Sequence, residues 1–205
     1  MTYNINQEEI ERLKKAEGEV RGVVFKTDEK YVIREKGEEG LKKVEEELEK
    51  MGVSIDYKDI DRMNFYPLNL RAFSLLAISK AFDYGEEEIK EMGKKAPRAS
   101  FLIKFFTKYF MSSQQTLAKV TEMWGKHYTK GTIESIEVNE DEGRAIFRLH
   151  EADLHPVLCH YLLGYFSSVV SMVVGEKVES KETKCYFNDE DYHEFYLTWN
   201  GKSNN

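Results

Sequence analysis

The sequence predicts an α+β fold in which N-terminal helices pack on a C-terminal, largely antiparallel sheet. Two observations carry this. Apolar residues recur at three and four over the first two thirds of the chain, and from Thr132 onward the period switches to strict alternation interrupted by polar turns. The 205 residues, 41% hydrophobic with 12 Phe and 12 Tyr, suffice for a proper core.

The elements follow in order. Gln7 to Glu17 reads as a short charged helix with Ile10 and Leu13 as a thin apolar stripe. Residues 1–19 are taken as a helical N-terminal extension and 20–205 as one domain. Arg21 to Thr27, RGVVFKT, has the look of a strand. A helix-forming segment follows, then a second helix from Glu38 to Met51, where Leu41, Val44 and Leu48 share a face and Gly52 ends the run. Tyr66-Pro67 reads as a turn, Leu70 to Phe82 as an apolar helix and Glu86 to Met92 as an amphipathic one, with Pro97 expected to interrupt the pattern. Phe101, Phe105, Phe106, Tyr109 and Phe110 then repeat at helical spacing, and another helix runs through Trp124 and Tyr128 to Gly131. Strands are expected at Thr132 to Val138 and Arg144 to His150, a helix at Pro156 to Val174 capped by Gly175, and a hairpin of Lys177 to Phe187 and Tyr192 to Trp199.

Composition narrows function. A net charge of −7 argues against nucleic acid, which requires a concentrated basic surface. The polar N-terminus is unlike a secretory signal, and the apolar run Val157 to Val174 carries His160 and several serines, so a buried domain helix is expected there rather than a membrane span. Two cysteines suit a reducing cytoplasm, as thiols or ligands. His150, His155 and His160 lie near Glu151 and Asp153, yet no nucleophile or carboxylate dyad has a recognisable context, so no enzymatic activity is expected.

Both cysteines belong to one series of metal-ligand residue types, Cys159, Glu182, Cys185 and His193, spaced Cys-x22-Glu-x2-Cys-x7-His. Thiolate, carboxylate and imidazole are donors that zinc accepts, and four protein ligands make a closed, structural site. Cys159 is equally at home as a small buried hydrophobe in an apolar helix. Glu182 and Cys185, three apart, would point to opposite faces of a regular strand, so shared coordination requires a bulge or a strand end; Cys185 and His193 could face each other across a hairpin, with Cβ atoms about 5 Å apart. His155, four residues before Cys159 on a helical face, is an alternative ligand.

This spacing resembles the Cys-x22-Glu-x2-Cys-x7-Cys pattern of the 4-vinyl reductase domain, a small-molecule-binding module found alone and in regulators that sense aromatic compounds; His193 replaces the last cysteine. RGVVFKTDEKYVIREKGEEGLKKVEEELEKMG, from Arg21, is similar to the opening of the heme NO-binding family, and EMGKKA at Glu91 to a helix segment common to both groups. MWGKHYTKG at Met123, GRAIFRL, HPVLCHYLLGYF, VVGEKV, ETKC and HEFYLTW resemble the 4-vinyl reductase branch. The resemblance implies a cytoplasmic sensory protein, commonly dimeric, that holds a small apolar or aromatic ligand, with Phe101, Phe105, Tyr109, Trp124 and Tyr128 as candidate lining. An aromatic stripe at helical spacing is equally what plain core requires. In heme-binding members a proximal histidine ligates iron and a Tyr-x-Ser-x-Arg motif holds the propionates; here the matching place reads Arg148-Leu-His-Glu-Ala152, and His127, near the proximal position, is expected at the surface. The expectation is therefore structural zinc, with heme unlikely. The other class of function the resemblance implies is an interaction or scaffold module, related to vesicle-tethering subunits of the same fold. With no fused output domain expected, a signal would pass to a partner or through a dimer.

Overall fold

The structure is a computed structural model; it describes Tyr3, residues 5–99, Leu117 and residues 119–201. The predicted α+β architecture is what it shows. Helices α1 (Gln7–Lys14), α2 (Val23–Lys50), α3 (Asn69–Phe82) and α4 (Glu86–Ala99) form the N-terminal part, with a small ribbon of β1 (Glu19–Arg21) and β2 (Phe65–Pro67). After the short α5 (Val120–Gly125) come β3 (Thr132–Asn139), β4 (Arg144–His150), α6 (Pro156–Val174), β5 (Glu179–Lys184), a 3-10 turn at Tyr186–Asn188 and β6 (Tyr192–Thr198). The four long strands make one sheet in the order β3-β4-β6-β5, every pair antiparallel.

Several local expectations fail: the helix expected to run through Tyr128 to Gly131 ends at Gly125, and three further departures have clear physical reasons. The RGVVFKT segment is strand only at its start: helix α2 begins at Val23, and Phe25, Asp28, Tyr31 and Val32 go into the interior at helical spacing. Tyr66-Pro67 lies in a strand rather than a turn, pairing with Val20 and Glu19; Pro67 is at the strand end, where its missing N–H costs little. Helix α4 continues through Pro97 to Ala99, because Ile89, Met92 and Ala96 are buried in sequence and hold its last turns in the core. Gly37, at φ 72° and ψ −177°, splits α2 into two helical halves, and the second half is the helix expected from Glu38 onward.

Helix α6 organises the molecule. Pro156 opens it at the first helical position, Gly175 closes it in the left-handed conformation, and eleven of its nineteen residues are buried. It is the only helix among the described residues long and apolar enough to cross a membrane, and its burial is that of a core helix. One face covers the inward side of the sheet, where Phe166 meets Phe147 edge-on at 5.5 Å and Phe195 at 5.1 Å. Its other face meets α4 at backbone distance. A Cβ on Gly164 would stand 1.8 Å from the Lys90 carbonyl oxygen, and one on Gly93 would stand 2.0 Å from that of Tyr161, so this crossing requires both glycines.

Candidate ligand cavity and metal centre

Cys159, Glu182, Cys185 and His193 converge, with one ligand atom from each lying within 4.8 Å of all the others. Cys159 comes from the first turn of α6 and His193 from the inward face of β6; both are buried. The geometric obstacle between Glu182 and Cys185 is resolved twice. A register shift falls between Glu182 and Lys184, and the strand ends at Lys184, leaving Cys185 as the extended residue before the 3-10 turn. Pairing of Lys184 with Glu194 then sets Cys185 beside His193. His155 is not part of the cluster: its Nδ1 accepts the Val157 backbone N–H at 3.0 Å and caps α6.

The electrostatics of the cluster suit a cation. The His193 Nε2–H donates to the Ala152 carbonyl at 3.1 Å, which turns Nδ1 toward Glu182 Oε1 at 2.8 Å and Cys159 Sγ at 3.5 Å. A backbone carbonyl orienting a ring in this way is how metal-ligating histidines are commonly fixed. Burial works to lower the His193 pKa, but the Glu182 carboxylate prevails and raises it. The adjacent thiols diverge. Hydrogen bonding from Cys159 stabilises the Cys185 thiolate and brings its pKa down to about 6, while the same contact and burial push Cys159 well up. Neither cysteine is in a disulfide.

A second feature lies further along α6: a cavity of about 130 Å³ between α2, α5 and α6, closed below by Phe147 of the sheet. Val23, Val24, Leu162, Phe166, Val169 and Val173 supply most of its apolar wall. Trp124 and Tyr128 both stand on it, stacked at 4.1 Å, with the indole N–H donating to the Lys130 carbonyl at 3.3 Å. Phe101, Phe105 and Tyr109 lie outside the described residues.

His127 is also on the cavity wall, and the expectation of a surface histidine is corrected. Its Nδ1–H donates to the Met123 carbonyl at 2.9 Å, leaving Nε2 as the nitrogen with a free lone pair, and burial lowers its pKa so that the ring stays neutral. A neutral imidazole with one nitrogen tied to a carbonyl could ligate a metal through the other. Arg148, in the place that matches the propionate motif, instead pairs with Glu194 at 2.8 Å on the outer side of the sheet.

Sequence reasoning passed over the polar group of this cavity. Arg71 of α3 and Asp28 of α2 are fully buried and paired through Arg71 Nη1 and Asp28 Oδ2. Ser74 Oγ–H donates to the same Asp28 oxygen at 2.7 Å, and the Tyr57 hydroxyl lies 2.8 Å from Ser74 Oγ. Arg71 reaches the cavity with its guanidinium 4.4 Å over the Tyr161 ring. The available signal was Arg71 itself, a charge inside the otherwise apolar run LRAFSLLAI, with Ser74 three residues on along the same face.

Neither a protein-family model nor a curated relative matches the chain. Solved structures do. An H-NOX protein from S. oneidensis in the Fe(II)NO ligation state is 12% identical with a TM-score of 0.66, over 88% of this chain and 99% of that one. An unliganded Fe(II) H-NOX variant from K. algicida is 15% identical with a TM-score of 0.64, over 89% and 98%. The chain thus has the heme NO-binding fold. The expectation of zinc as the cofactor, with heme unlikely, is corrected: the structures that share this fold are heme proteins.

Proposed function

We propose that the chain is a ligand-binding sensory protein whose cavity between α2, α5 and α6 takes an apolar molecule, with heme the first candidate. The observation that carries this is the cavity itself, an apolar space of about 130 Å³ walled by Trp124, Tyr128 and His127 in a fold whose solved members span nearly their whole length on this chain. Ligand sites of this kind are mostly apolar with a few polar groups that fix orientation. A cavity of roughly 150 Å³ holds one aromatic ring, so a porphyrin would enter only as the wall opens, whereas a single ring requires no such movement. His127 would hold heme iron through Nε2, and the bound group would supply a metal able to take a gas such as NO, as in the S. oneidensis structure. The protein's own part is to keep His127 neutral, exclude water with Trp124, Tyr128 and Phe166, and register occupancy through α6.

The finer reading, within the 4-vinyl reductase branch, is supported by the assembled ligand cluster. Cys159, Glu182, Cys185 and His193 are proposed as a metal-ligating cluster that ties α6 to the β5–β6 hairpin. On this reading the protein is a binder rather than an enzyme.

Titrating the purified protein with hemin, and separately with single-ring aromatic compounds, tests the function. A saturable Soret band that His127→Ala abolishes marks the heme sensor; a thermal shift with aromatic compounds alone marks a sensor of smaller molecules. No response to either removes the cavity reading and leaves the scaffold module.

A further inference from the structure

We propose that the cavity's ligand is a carboxylate and that the free edge of Arg71 is its anchor; this rests on the cavity being a ligand site. Arg71 is wholly buried and lines the cavity, and only its Nη1 is engaged, by Asp28. Nε and Nη2 have no hydrogen-bond partner among the described residues. The Tyr128 hydroxyl stands beside the guanidinium, near enough to feel its charge and to make a weak polar contact with it, but that contact falls short of hydrogen-bond geometry and leaves both nitrogens open to a better acceptor.

Buried charged donors left without acceptors are costly and rare in folded proteins. These two are also the pair whose N–H bonds run parallel along one edge of the planar guanidinium, the fork that matches the two oxygens of a carboxylate. Tyr161 supports the plane from its face at 4.4 Å, so the fork is held in place before any ligand arrives. The wall beyond is hydrocarbon, from Val23 and Val24 of α2 to Leu162 and Phe166 of α6. One anion-binding end and one apolar body describe an amphipathic monocarboxylic acid.

Charge balance favours one carboxylate over a more highly charged anion. Asp28 already neutralises Arg71, so any ligand charge beyond the single one that a proton on Asp28 can offset would leave the buried site with an excess. Asp28 Oδ1 has no partner either, and a proton taken up with the ligand can sit there, keeping arginine, aspartic acid and carboxylate neutral in sum. A small aromatic acid carries this chemistry as a whole molecule, whereas heme could present only one of its two propionates to the fork, with the other outside the buried site.

The test compares acids with their uncharged counterparts, using cinnamate against cinnamyl alcohol and hemin against its dimethyl ester, by calorimetric titration of the intact protein. The expected result is at least tenfold tighter binding of the acid in one pair, and that pair identifies the source. Arg71→Lys retains a cation facing Asp28 but loses the fork, so it should weaken the acid about tenfold and leave the uncharged partner unchanged. On the unaltered protein, the carboxyl carbon of ¹³C-labelled cinnamate or propionate should shift on binding. Equal affinity for acid and uncharged partner, or a carboxyl carbon that does not move, overturns the anchor while the cavity stands. If no member of either pair binds, both readings fall.

Discussion

The metal cluster and the cavity are built on the same helix and differ in how their residues are gathered. Cys159 of the cluster sits in the first turn of α6, and Tyr161, Leu162, Tyr165, Phe166, Val169 and Val173 of the cavity occupy the turns after it. The other three cluster residues come from one hairpin within twelve positions of each other, Glu182 to His193. The cavity draws its wall from α2, α3, α4, α5, α6 and the sheet. A site closed by a hairpin leaves its mark in spacing, whereas a site closed by helix packing leaves almost none, because every wall residue also serves as ordinary core.

The sharpest way to break this comparison is at the buried pair of the cavity. Arg71→Met should strand the Asp28 carboxylate and cost about 3–5 kcal/mol of stability, and adding Asp28→Asn should recover much of that loss. A double-mutant cycle by urea denaturation measures both. If the single change costs no more than an ordinary surface substitution, the pair is not buried as described.

Ligand binding comes next in size. A molecule held only by the folded state stabilises it by RT ln(1 + [L]/Kd), about 2.7 kcal/mol at a hundredfold excess over Kd. Thermal denaturation with the best binder should show that gain, and Trp124→Ala, which opens the wall, should remove it while leaving metal content unchanged. A loss of metal in that variant would mean that the two centres are one unit.

The glycine crossing tests the helix they share. Gly164→Val would drive a side chain into the Lys90 carbonyl, and overpacking of this kind costs typically about 1–3 kcal/mol. Because α6 carries both centres, metal affinity and ligand affinity should fall together. A variant that weakens only one of them would show that α6 does not tie them.

The smallest effect concerns the cluster alone. In metal-free protein the Cys185 thiol should alkylate with a midpoint near pH 6, since its folded pKa is depressed by the Cys159 contact, whereas Cys159 should stay unreactive over the same range. Peptide mapping after labelling at several pH values separates the two. Equal reactivity would show that the thiols are not in contact.

These differences explain what could be read from the chain. The switch of period at Thr132 gave the sheet, Pro156 and Gly175 gave both ends of α6, and two cysteines with Glu182 and His193 gave the cluster before its strand bulge was visible. Val23 to Thr27 misled because its β-branched and aromatic residues favour a strand locally, while burial of Phe25 and Asp28 at helical spacing decides for α2. The hairpin strands came out longer than they are, since the bulge and the 3-10 turn end β5 at Lys184. His127 and the Arg71–Asp28 pair were hidden for another reason. A charge in a helix is normally solvated, and only the packing of α3 against α2 and α6 shows that this one is enclosed.

Native mass spectrometry of freshly purified protein, run beside Trp124→Ala, tests the central claim most directly, namely that the molecule has two separate centres, one for an ion and one for an organic ligand. The account predicts the chain with one metal ion and one bound organic molecule, the molecule lost from Trp124→Ala and the ion retained. A chain carrying neither, from protein that is folded and has never met a chelator, would contradict it.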